Sequence, residues 1–117
     1  MEIKIKEVSY PIYLGFDAVN YLDQAYFLEV EGMKLGLGIA SVIAQLKIGN
    51  VLATYNMIKA GTNTLTKKPS TEDIEEYIGG LTEKQFDKLN EDFISELKKQ
   101  PLTRVTARKI VGAMENK

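Results

Sequence analysis

Met1-Glu2-Ile3-Lys4-Ile5-Lys6-Glu7-Val8-Ser9-Tyr10-Pro11-Ile12-Tyr13-Leu14-Gly15 is the stretch that decides the fold class. Ile3 and Ile5 alternate with Lys4 and Lys6, and Tyr10, Ile12 and Leu14 alternate with Pro11 and Tyr13. A period of two places each apolar set on one face of a strand. Two strands joined through Glu7-Val8-Ser9 make a β-hairpin. Pro11 cannot donate to a ladder, so its strand belongs at an edge. Everything after Gly15 changes period.

Asp17 is positioned to cap a helix running to about Leu28, with Val19, Leu22, Tyr26 and Phe27 on its apolar side. Gly32, Gly36 and Gly38 predict a loop with a short extended piece over residues 29–38. Ile39, Val42, Ile43 and Leu46 then follow the spacing of one helical face. Gly49 is placed to stop that helix and Asn50 to cap the next, which carries Leu52, Tyr55 and Ile58 and ends at Gly61. After a loop to Pro69, Ser70 caps a helix with Glu72 and Asp73 in its first turn, where the helix dipole favours negative charge. Gly79-Gly80 closes it.

The strongest local start follows. Thr82 with Gln85 forms a capping box, and Leu81 with Phe86 a hydrophobic staple. This helix runs to about Lys99 with Phe86, Leu89, Phe93 and Leu97 as its stripe. Pro101 separates it from a last helix over residues 102–114 that presents Ala107, Ile110, Val111 and Met114 together. The fold class predicted is α+β, mostly α. A single domain is expected, with a hairpin over residues 1–15, five or six short helices over residues 16–117 and a C-terminal helix free to move.

Composition narrows the chemistry. The 117 residues include no Cys and no His. Disulfides, thiolate nucleophiles and Ser-His-Asp or Cys-His sites are excluded, and the commonest zinc ligands are missing. No enzyme activity, metal or cofactor is expected. A formal net charge of −1 gives no basic field for nucleic acid. The acid-bearing, alternating start does not read as a signal peptide.

The charge pattern is uneven. Lys47 and Lys59 are the only charged residues from Leu35 to Thr66, whereas both signs are dense from Lys67 onward. Two readings of the uncharged stretch stand side by side: two core helices, or an apolar surface for a partner or a second copy. No membrane span is expected, because Lys47 and Gly49-Asn50 break the stretch well short of about 20 apolar residues. Gly36-Leu37-Gly38 lacks the third glycine of a dinucleotide fingerprint and the Lys-Ser/Thr of a phosphate loop. Glu72, Asp73, Glu75 and Glu76 lack the spacing of a calcium loop and read as a solvated face. Lys98, Lys99, Arg104, Arg108, Lys109 and Lys117 make the C-terminal segment basic. No aromatic interleaves with them and no base-reading Asn or Gln stands out, so nucleic acid is the secondary reading: a small regulator or adaptor contacting phosphates through the last helix.

The order of elements resembles the tail assembly chaperones of long-tailed phages and prophages of Gram-positive bacteria. The residues that carry the resemblance are Leu14-Gly15-Phe16 after the hairpin, the Gly-rich run from Glu31 to Gly38, Ala60-Gly61-Thr62-Asn63, and Lys68-Pro69-Ser70-Thr71-Glu72-Asp73-Ile74-Glu75-Glu76-Tyr77-Ile78. The turn at Glu7-Val8-Ser9 departs from the Asn-Gly type associated with that family. The resemblance implies a protein of the host cytoplasm, absent from the mature virion, that coats the tape measure protein and recruits the major tail protein. It also implies a short form that can be accompanied by a frameshifted longer one. Self-association is expected through an apolar surface drawn from Leu35, Leu37, Ile39, Val42, Ile43 and Leu46.

Overall fold

The computed structural model describes residues 1–115; Lys117, counted above in the basic segment, lies outside them. Ten elements follow one another along the described residues. Strands β1 (Glu2–Ile5) and β2 (Val8–Pro11) form the N-terminal hairpin, followed by α1 (Phe16–Ala25). Strands β3 (Phe27–Val30) and β4 (Met33–Gly36) form a second hairpin. The helices α2 (Gly38–Lys47), α3 (Val51–Gly61), α4 (Thr71–Gly79), α5 (Glu83–Lys99) and α6 (Arg104–Glu115) complete the chain. The architecture is α+β and mostly α, as the period change after Gly15 implies.

The first hairpin has the register Ile3↔Tyr10 and Ile5↔Val8. Its turn is therefore the pair Lys6-Glu7, one residue earlier than the sequence suggests. Both residues have positive φ, 48° and 66°, the geometry of a two-residue turn whose twist matches the strands. Neither is glycine, so each sits in a region costly for a side chain. The Lys6 ammonium reaches Asp73 at 2.8 Å and Glu76 at 3.2 Å, tying the turn to α4.

The N-terminal segment is anchored again by Gln100, the residue that closes α5. Its Oε1 accepts from the Leu14 N–H at 2.7 Å, and its Nε2 donates to the Ile12 carbonyl at 2.8 Å. One side chain thereby satisfies backbone groups that would otherwise lack strand partners. The Tyr13 N–H donates to the Gly61 carbonyl at 2.9 Å, so residues 12–14 lie between α3 and α5.

Several helix boundaries follow local chemistry. Asn50 accepts from the Leu52 N–H, Ser70 from the Asp73 N–H, and Thr82 and Gln85 make the reciprocal capping box. Gly49, at φ 76°, follows α2 as a left-handed stop. Others differ from expectation. Gly15 rather than Asp17 occupies the cap of α1, and Asp17 lies inside the first turn. The last helix starts at Arg104, two residues later than expected, because residues 101–103 form a turn.

The core gathers Ile3, Ile5 and Tyr10 of the first hairpin, Leu22 of α1, and apolar residues of all the later helices around fully buried Phe93. A fully enclosed polar contact crosses it, with Thr54 Oγ1 donating to Asn90 Oδ1 at 2.6 Å.

Candidate interaction surfaces

The second hairpin is the main departure from the sequence reading. Helix α1 ends at Ala25, so Phe27 and Leu28 belong to a strand rather than to a helical apolar face. Residues 29–38, read as a loop with a short extended piece, contain the rest of that strand and all of β4. The turn Glu31-Gly32 has φ of 51° and 80°. Glycine takes the second position without steric cost, which lets the strands return on each other within two residues.

Among the described residues the hairpin is hydrogen-bonded to the rest of the chain at its root. The Leu37 N–H donates to the Tyr26 carbonyl at 3.0 Å, and the Gly38 N–H donates to Asp23 Oδ1 at 2.8 Å. A Cβ on Gly38 would come within 2.6 Å of the α1 backbone at Leu22 and Asp23. Glycine is therefore required where α2 starts against α1.

Beyond that root every residue of β3 and β4 is exposed. The register pairs Leu28 with Leu35 and Val30 with Met33. Side chains alternate between faces, so these four share one side and Phe27, Glu29 and Lys34 share the other. On the second side the Lys34 ammonium stands 4.7 Å from the Phe27 ring centroid, a cation–π contact. The first side carries four apolar side chains that are 43–66% exposed. A two-stranded hairpin is marginal in water unless a face packs on something. An exposed apolar face of this kind is a candidate interaction site.

The six residues expected to line a surface divide sharply. Leu35 and Leu37 are exposed. Ile39, Val42, Ile43 and Leu46 are buried, because α1, α3, α5 and α6 all pack on α2. The uncharged stretch is thus largely core over α2, and these four side chains are out of reach of a partner docking on the folded chain. The exposed apolar groups near them lie before and after α2, in the second hairpin and in Ile48, Val51 and Leu52.

Ile48 is 75% and Leu52 64% exposed. Val51, Leu52, Tyr55 and Ile78 line a groove of about 370 Å3 between α3 and α4, with Thr71, Glu75 and Gly79 completing its wall. Two charged surfaces accompany these apolar ones. On α4, Asp73 and Glu76 engage Lys6, and the hydrogen bond from that ammonium holds the Asp73 carboxyl below the usual carboxylate range. Glu72 and Glu75, also exposed, make no ion pair among the described residues. On α6, Arg104, Arg108 and Lys109 are exposed around Val105. No helix of the described residues is long and apolar enough to cross a membrane.

The missed residues had a faint sequence signal. Phe27-Leu28-Glu29-Val30 is rich in strand formers, and Glu31-Gly32 ends on the glycine that a tight turn needs. The helical spacing of Val19, Leu22 and Tyr26 extends past Ala25 and hides it.

The chain matches a family model described as "Phage tail assembly chaperone protein, TAC" over residues 2–111. No curated protein and no solved structure matches it. The family match spans both hairpins, α1 to α5 and most of α6, and with it the exposed β3–β4 face. The chain belongs to the phage tail assembly chaperone family.

Proposed function

We propose that this protein binds the tape measure protein during tail assembly in the host cytoplasm, shields its apolar stripes, helps bring in the major tail protein, and is left out of the finished virion. The observation that carries this reading is the exposed face of Leu28, Val30, Met33 and Leu35. A long helical client with apolar stripes aggregates when left alone. A flat apolar face with an adaptable methionine can take such a helix without demanding one sequence. One face of four side chains is a weak site. Many copies along one client overcome that by avidity, and self-association of this chain would set their spacing.

Co-expression of this chain with the tape measure protein of the same phage tests the reading. The expected result is a soluble client that co-purifies with the chain and precipitates in its absence. A client equally soluble with and without the chain contradicts it.

A further inference from the structure

A cavity of about 420 Å3 opens between the C-terminal end of α2 and the side of α5 that carries Asp87, Asn90 and Glu91. It lies at the far end of α2 from the second hairpin, ten helical residues or about 15 Å away. Asn90 forms part of its wall. This side chain is 3% exposed, and its Oδ1 is taken by Thr54. The other arm of the amide, Nδ2, is buried and has no hydrogen-bond partner among the described residues. A buried donor left in this way is costly, so the cavity calls for an acceptor.

The charges at the mouth say what that acceptor belongs to. Asp87 and Glu91 are exposed on successive turns of α5, and both line the cavity. Neither makes an ion pair among the described residues. Like charges four residues apart on a helix repel, and a cation laid between them relieves the repulsion. The last turn of α2 adds the negative end of its dipole. Lys47 lines the α2 side, where the two carboxylates outweigh it. Ile48, 75% exposed, and half-buried Ile94 supply apolar wall between the charges. A metal ion does not suit this set: the inner group is an N–H donor, and no three acidic side chains among the described residues are placed to hold one.

We infer that this cavity binds an extended peptide segment of a partner protein that carries an arginine. A main-chain carbonyl of the segment accepts from Asn90 Nδ2, and the adjoining guanidinium lies across Asp87 and Glu91. A planar fork with five donors engages two carboxylates one helical turn apart, which a lysine ammonium, a single point charge, does less well. The arginine stem rests on Ile48 and Ile94. The site differs from the Leu28–Leu35 face in place and in chemistry, so it stands or falls independently of the tape-measure reading.

Nuclear magnetic resonance on the 15N-labelled full chain tests the site, with a blocked leucine–arginine–alanine tripeptide as the probe. The side-chain amide of Asn90 should shift and saturate during the titration, together with the backbone amides of Ile48 and Ile94. The same peptide with citrulline in place of arginine keeps the shape and loses the charge; it should bind about tenfold more weakly. Asp87→Asn with Glu91→Gln should weaken the arginine peptide by a similar factor, abolish its advantage over the citrulline peptide, and leave the melting temperature no lower. Glu72→Gln with Glu75→Gln, which removes the same charge from α4, should change nothing. An Asn90 amide that does not respond, equal binding of the two peptides, or an equal loss from the α4 variant overturns the inference. So does an Asn90 amide that keeps its contact with a long-lived water at saturating peptide, because the cavity is then a hydration site.

Discussion

Leu28 and Leu35 stand directly opposite each other across the second hairpin, and each keeps about half of its surface in water, 51% and 43%. In a chain with a well-formed core, two leucines paired this way contribute little to stability where they are. Replacing both with serine should leave the melting transition within about 0.5 kcal/mol of wild type, as is usual for exposed positions. The same variant should lose co-purification with the tape measure protein. Thermal melts and pull-downs read the two effects separately.

Val42 presents the opposite case. It is fully buried in α2, and aspartate there would place an unpaired carboxylate in the core. The cost is expected to exceed about 4 kcal/mol, a large part of a small domain's total stability. Val42→Asp should therefore unfold the chain, seen as lost helical circular dichroism, and not merely abolish binding.

The first turn offers a gain. Glu7 has φ 66°, and its carboxylate pairs with Lys4 in an exposed contact. Glycine adopts that φ without a Cβ penalty. Glu7→Gly should stabilise the fold by about 0.5–1 kcal/mol, measured by urea denaturation. Lys6→Gly should not, because it also releases Asp73 and Glu76.

Acid should loosen the junction between the N-terminus and α5. Burial of Glu96 pushes its carboxyl up, but the hydrogen bonds from Gln100 and Lys99 and the nearby Met1 amino group outweigh this, so its pKa lies below the ordinary 4.5. A carboxyl lowered in the folded state stabilises the fold above its unfolded pKa, and that stability is lost as pH falls through the folded value. Wild type should lose stability below about pH 4.5. Glu96→Gln should be less stable at neutral pH and show a flatter decline across the acid range, measured by melts at stepped pH.

What could be read from the residues was the local chemistry. Thr82 with Gln85, Ser70 and Asn50 name their own helix starts because each cap uses atoms within three residues. Val42 and Leu52 were not separable in this way. Both are aliphatic and both lie at helical spacing, yet α1 and α5 pack on α2 around Val42, while Leu52 in the first turn of α3 stays 64% exposed. Which apolar residue is covered depends on neighbours distant in sequence. Four of the six expected surface residues fell on the covered side for that reason. The Gln100 contacts to residues 12–14, more than 80 positions away, were equally out of reach of any local signal.

Hydrogen exchange over residues 27–36 tests the central claim most directly, with the chain free and then bound to the tape measure protein. In the free chain these amides should exchange fast relative to α2 and α5, because the hairpin is hydrogen-bonded to the rest of the chain at its root. On binding, the hairpin should become strongly protected while the core is unchanged. A hairpin that exchanges at the same rate in both states, with the client demonstrably bound, would contradict the account.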